Sequence, residues 1–213
     1  MTIEPALFRK QEQYDSDLTG WEFMNAISQR APERTRVHTR QITCDAYRRR
    51  DGLVEIEGRM VDTKTYAAVL PFKTIEPGTP FHDMVIVMAV DENMVIQELE
   101  ARTQAAPTPY CTEMNSTYRN LVGVRIGPGF KAEVKARVGG VRGCTHLTDL
   151  LGPMATTAMQ ASFANMQTQE RVDVLTASDT SLPKPWVVGT CHTYRMEGEA
   201  VKVIWPQGRR LPA

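Results

Sequence analysis

The chain has no hydrophobic run approaching the roughly 18 apolar residues that a membrane span requires, so no membrane partner is expected. It has no excess of either charge. Twenty-five Lys and Arg meet 25 Asp and Glu, for a net charge of zero, whereas nucleic-acid binders carry a basic excess or a basic face. The one basic run, Arg48 to Arg50, is flanked by Asp45 and Asp51 and reads as a solvated hairpin end; no nucleic-acid partner is expected. The N-terminal MTIEPALFRKQEQYDSD lacks the apolar core of a signal peptide, which points to the cytoplasm. Glycine-rich nucleotide motifs, a P-loop and flavin patterns are missing, which argues against redox chemistry with a dissociable nucleotide. Cys44, Cys111, Cys144 and Cys191 lie too far apart for a zinc ribbon. In a reducing compartment they are thiols or metal ligands rather than disulfides.

What is present divides by character along the chain. Residues 1–35 are polar and read as an arm, in which Trp21, Met24 and Ile27 could form one helical stripe. Residues 36–206 read as one domain and 207–213 as a tail. Alternation in VHTRQITCDAYRRR and LVEIEGRMVDTKTYAAVLPF predicts two strands around the Arg50-Asp51-Gly52 turn. Val54, Ile56, Gly58 and Met60 share one face, and Glu55, Glu57 and Arg59 the other. A second hairpin is predicted from HDMVIVMAV, the Asp91-Glu92-Asn93 turn and MVIQELEART. After residue 105 helical spacing takes over. TEMNSTYRNLVGVRI and PGFKAEVKARVGG read as short helices, the second stopped by Gly139-Gly140. HLTDLLGPMATTAMQASFANMQ reads as a long helix kinked at Gly152-Pro153. Residues 168–184 read as a connector, and PWVVGTCHTYRMEGEAVKVIWP as a last hairpin around residues 197–199. Strands followed by helices indicate an α+β fold, an antiparallel sheet with helices on one face.

Four residues from three segments stand out as a site. His82 and Asp83 open a strand, Cys111 ends the loop that leaves its antiparallel partner, and Cys144 opens the long helix in GCTHLTDLLG. A helix N-terminus lowers a thiol's pKa. Imidazole, carboxylate and two thiolates suit zinc or iron; no motif demands a cofactor. His146 is a second acid–base candidate, and Asp149 a complement to the helix dipole. The bland alternative keeps each cysteine as a small core residue. Cys44 is read that way, and structure is favoured for Cys191-His192.

DGLVEIEGRMVDTKTY, IEPGTPFHDM, NLVGVRIGPGF, GCTHLTDLLGPMATTA and TCH…EGEAV…WP together resemble the bacterial Domain of Unknown Function 2889 family over roughly residues 36 to 206. The resemblance implies a soluble bacterial protein associated with catabolism of hydrophobic or aromatic compounds. The order of ligand loop, hairpin, Cys111 loop, short helices and GCTHL helix also resembles NifU-type iron–sulfur scaffolds. That layout implies a NifU/SufE-like core. His82, Cys111 and Cys144 then stand at the scaffold's three cysteine positions, with Asp83 close to its aspartate.

Two functions remain open beside a third, bland option, a purely structural or interaction protein whose Cys and His residues are core. One is an enzyme of lyase, isomerase or hydrolase type acting on a terpenoid, steroid or aromatic molecule, with His82, Asp83, Cys144 and His146 as catalytic groups. In it Met84, Met88, Met154 and Met159 are candidates for an adaptable apolar pocket, although core packing is the favoured role for most of them. The other is a metal or iron–sulfur carrier serving a partner enzyme, with His82, Asp83, Cys111 and Cys144 as ligands. A homo-oligomer is left open.

Overall fold

The computed structural model describes residues 19–22, 24, 33–164, 181–185 and 187–211. The chain divides into two compact units at Val37/His38. In the first, Thr19 and Glu22 form a reciprocal capping box, each side chain meeting the other's amide. Trp21 and Met24 are exposed, and Ile27 falls outside the described residues.

The second unit is built on an antiparallel sheet. Its strands are β1 (His38–Arg48), β2 (Val54–Lys64), β5 (Pro80–Val90) and β6 (Ile96–Ala105), in the order β1-β2-β5-β6. The second expected strand ends at Lys64, and a separate two-stranded ribbon, β3 (Ala68–Val69) with β4 (Thr74–Ile75), follows it. Alternation decides the faces. Ile56, Met60, Met84, Ile86 and Met88 are fully buried on one face, while Glu57, Arg59 and Glu98 are exposed on the other. The β5–β6 turn is tied by Asp91, whose carboxylate accepts the amides of Asn93 and Val95, each at 2.9 Å. Arg49 at the β1–β2 turn is neutralised by Asp51, Glu55 and Glu98, consistent with a solvated hairpin end.

The first helical stretch is a 3-10 segment, Pro109–Leu121, rather than an α-helix. Its buried residues Tyr118 and Leu121 are three apart, which is the 3-10 repeat. α1 (Phe130–Val138) stops at Gly139, as the glycine pair predicts. α2 (Thr145–Ala164) runs through Pro153 as one helix and lies across β1, β2 and β5. Leu147, Leu150, Leu151 and Met154 form its buried stripe. A Cβ on Gly58 would meet Met154 Sδ at 2.5 Å, so this glycine permits the close helix–sheet approach. The mixed α+β architecture, an antiparallel sheet followed by helices, is therefore as expected.

The last hairpin does not form. Residues 187–198 turn repeatedly, and α3 (Glu199–Ile204) follows. Val201 and Trp205 are both buried, and their four-residue spacing obeys the helical period that the apparent alternation of this segment concealed. They pack with Leu182 and Val188 in a small second cluster. Residues 207–211 are tied in as well, through the Leu182–Arg210 bridge. Residues 165–180, most of the expected connector, lie outside the described residues. Among the described residues no helix is long and apolar enough to cross a membrane.

Candidate functional site

The decisive geometry is a row across three strands. Arg40 on β1 and Asp62 on β2 are register partners, and so are Asp62 and His82 on β5. Asp62 follows Val54, Ile56, Gly58 and Met60 in the alternation, so β2 carries it onto the buried face, where it is 1% exposed. A carboxylate there needs partners. Arg40 supplies two, Nε to Oδ1 and Nη2 to Oδ2, both at 2.8 Å. His82 Nδ1 lies 2.9 Å from Oδ2, and His38 Nε2 lies 3.4 Å from Oδ1. Arg40 extends the row outward through Nη1, which donates to Asp149 at 3.2 Å.

The first turn of α2 covers this row. The His146 ring lies on the His82 ring with centroids 3.6 Å apart and planes tilted by 31°. Cys144 Sγ is 3.9 Å from His146 Nδ1. Tyr118 anchors the helix entrance from the 3-10 segment: its hydroxyl accepts the Cys144 amide at 3.0 Å and donates to the Cys144 carbonyl at 2.6 Å. The tyrosine that holds this entrance is fully buried.

Protonation follows from these contacts. Burial works to raise the Asp62 carboxyl, but hydrogen bonds from Arg40 and His82 outweigh it and hold the group at about 2. Asp62 is thus ionised and accepts the Nδ1–H of His82, leaving a lone pair on His82 Nε2. Burial, then the neighbouring His146, lowers the His82 pKa against the pull of Asp62. Burial, then Arg40, lowers that of His146. Two stacked neutral imidazoles result, with His146 disfavouring a proton on His82.

A histidine whose pKa is lower in the folded than in the unfolded chain contributes stability that is complete above the ordinary value of 6.5. That contribution is lost as pH falls through the folded values. Melting temperature is therefore expected to decline between pH 7.5 and 5. His146→Gln should flatten that decline; an unchanged slope would contradict the neutral pair.

Several sequence expectations are corrected. Asp83 is not in the site. Successive residues of a strand point to opposite faces, so Asp83 turns away from His82 and pairs with Arg59 at 2.9 and 2.7 Å. The ligand set His82, Asp83, Cys111 and Cys144 does not assemble. The group whose ligand atoms all lie within 4.8 Å of one another is Asp62, His82 and His146. Cys111 Sγ instead contacts Thr108 Oγ1 at 3.4 Å and packs against the core. His82, His146 and Cys144 do come together. Met84, Met88 and Met154 are core residues, whereas Met159 lines a largely apolar cavity of about 960 Å³ with Met94, Ile126, Phe130 and Ala155. That cavity borders α1 and α2 and does not include the histidines, although Asp149 lines it. Cys44 is half-buried against the core; Cys191 is exposed, and His192 pairs with Arg195.

Asp62 and Arg40 escaped the sequence reading. The signal was a lone carboxylate at a position that alternation assigns to the core, and β5's own alternation places His82, but not Asp83, on that same face.

The three-atom group fits a metal poorly. Both Asp62 oxygens already serve Arg40, and one also serves His82. A metal about 2.1 Å from a nitrogen of each ring must lie in both ring planes, which rings tilted by 31° at 3.6 Å do not allow without reorienting.

Fold and site thus define an α+β protein with a carboxylate-oriented histidine pair. The chain belongs to the family described as Protein of unknown function (DUF2889), which matches residues 38–160. That span holds Asp62, His82, Cys144 and His146. No curated protein and no solved structure matches the chain.

Proposed function

We propose that this protein is a cytoplasmic enzyme of bacterial catabolism performing acid–base chemistry of lyase, isomerase or hydrolase type on an apolar terpenoid, steroid or aromatic molecule. The observation that carries this reading is the Asp62–His82–His146 arrangement: a buried carboxylate orients one neutral imidazole, and a second neutral imidazole stacks on it. His82 Nε2 takes a proton from the substrate, and Asp62 stabilises the imidazolium that forms. His146 sits on the open side of the pair and returns a proton at a second position, or to a leaving group. Cys144 is its hydrogen-bonding neighbour. Arg40 is a positioning residue acting through Asp62. An isomerisation or elimination by this pair consumes no co-reactant; a hydrolysis consumes water.

A second reading is a metal or iron–sulfur carrier with a NifU/SufE-like core. In its favour, the donor atoms of Asp62, His82 and His146 lie within 4.8 Å of one another. The commitment of Asp62 to Arg40 favours the enzyme.

Turnover of a panel of terpenoid, steroid and aromatic carbonyl compounds, followed by mass spectrometry, tests the proposal. His82→Gln and His146→Gln should each lower turnover by about 10²–10⁴ with the fold intact. Equal turnover by wild type and both variants would end the enzyme reading. Stoichiometric iron or zinc that is lost in those variants, without turnover, would favour the carrier.

A further inference from the structure

The sheet continues past the histidine pair toward its own edge. His38 and Lys64 are register partners two residues beyond the Arg40–Asp62 pair, on the same face. Lys64 is half-buried, and no carboxylate lies within ion-pair distance of it among the described residues. Its contacts are aromatic. Nζ stands 4.9 Å above the Phe81 ring and 5.4 Å above the Tyr66 ring, and 3.4 Å from the Tyr66 hydroxyl. The Phe81 ring meets the His82 ring edge-on at 5.0 Å. Two contacts in series therefore set the ammonium within one small-molecule length of the reacting histidine. Nearby, Arg40 is already committed to Asp62 and Asp149.

A half-buried ammonium held by ring faces and one phenol hydroxyl, with no carboxylate beside it, keeps its capacity to pair with an incoming anion. Ring faces beside it offer a flat ligand a stacking surface. We propose that Lys64, Tyr66 and Phe81 form the substrate-recognition patch of the histidine pair, and that it takes a flat, unsaturated apolar molecule bearing a carboxylate. The carboxylate pairs with Lys64, the unsaturated body lies against Phe81 and Tyr66, and the remainder reaches the imidazoles. This names the substrate class for the acid–base reading and rests on it only for events after binding.

Cinnamate and cinnamamide are suitable probes, since they share a flat body and differ in charge. Calorimetric titration of the whole chain should show cinnamate binding about tenfold more tightly than the amide, the scale of one charge-assisted hydrogen bond. Cinnamate should also shift the NMR signals of the His82 and His146 rings. Lys64→Met should bring the affinities for cinnamate and cinnamamide to within about twofold of each other, chiefly by weakening cinnamate, and Lys64→Arg should retain the preference. Phe81→Leu should weaken both ligands.

Absence of binding, equal affinity for the two probes, or binding that leaves both imidazole signals unmoved overturns the proposal. Inorganic phosphate competing as well as cinnamate overturns it too, because charge alone would then be read. His82→Gln separates this patch from the catalytic reading. Selective binding that survives in this variant supports the patch even if no turnover is ever found, whereas turnover without carboxylate preference sinks the patch alone.

Discussion

Asp62→Ala is expected to destabilise the fold by about 2–4 kcal/mol and to abolish the catalytic competence proposed for His82. The size follows from what is left behind. Asp62 is almost fully buried, and its removal strands a guanidinium and an imidazole that were packed on the assumption of a negative charge. Arg40 is about one-third exposed, so water relieves part of that penalty and the estimate stays at the lower part of the buried-pair range. Asp62→Asn separates shape from charge. It should cost less stability yet still lower turnover about a thousandfold, because a neutral amide neither fixes the His82 tautomer nor stabilises its cation. Chemical denaturation at several pH values checks the first claim. The ionised carboxylate contributes stability above its ordinary value of 3.8, which is lost as pH falls toward about 2. Asp62→Asn should lack that acid limb. A variant as stable as wild type, with the same acid limb, would mean that the buried row does not hold Asp62 as a charge.

Gly143→Ala is expected to cost about 3 kcal/mol and to lower the melting temperature by about 6–12 °C. Gly143 has φ −159, extended backbone open to any residue, so the demand is for space rather than conformation. A Cβ there would sit on the Val138 carbonyl oxygen and 3.1 Å from the Tyr118 hydroxyl. The first obstacle is backbone and cannot step aside. The second is the atom that holds both the amide and the carbonyl of Cys144. The substitution must therefore push the start of α2 away from the 3-10 segment, and His146 moves with it. Loss of the His82–His146 stacking signature in histidine NMR should accompany the fall in stability. A melting temperature within a degree of wild type would show that this entrance is looser than its contacts imply.

The GCTHL stretch illustrates how much was legible beforehand. Leucines at helical spacing after a glycine predict a core-facing helix, and α2 is that helix. That Cys144 and His146 would belong to a site was readable only by setting the stretch beside PFHDM. That His146 would stack on His82 was not readable, because it depends on where α2 crosses the sheet. The error at Asp83 has a different origin. His82 and Asp83 are neighbours in sequence, which suggests a unit, although strand geometry sends neighbours to opposite faces. The better candidate, Asp62, lay 20 residues away and became a neighbour only through β2–β5 register. Similarly, the short apolar segment around Val201 and Trp205 fits periods of two and four nearly equally; packing against Leu182 selects the helix.

By itself, the sequence determined the α+β class, the two long hairpins and their turns, the apolar face of β2 and the core stripe of α2. All of these are written in local periodicity and in turn chemistry that acts over a few residues. Only the tertiary structure decided the site, because a carboxylate's partner is set by strand register and a histidine's by helix crossing. Register brought Arg40, Asp62 and His82 into one row. The close approach of α2 over Gly58 helped bring His146 down onto it, and the desolvation that follows leaves both imidazoles neutral.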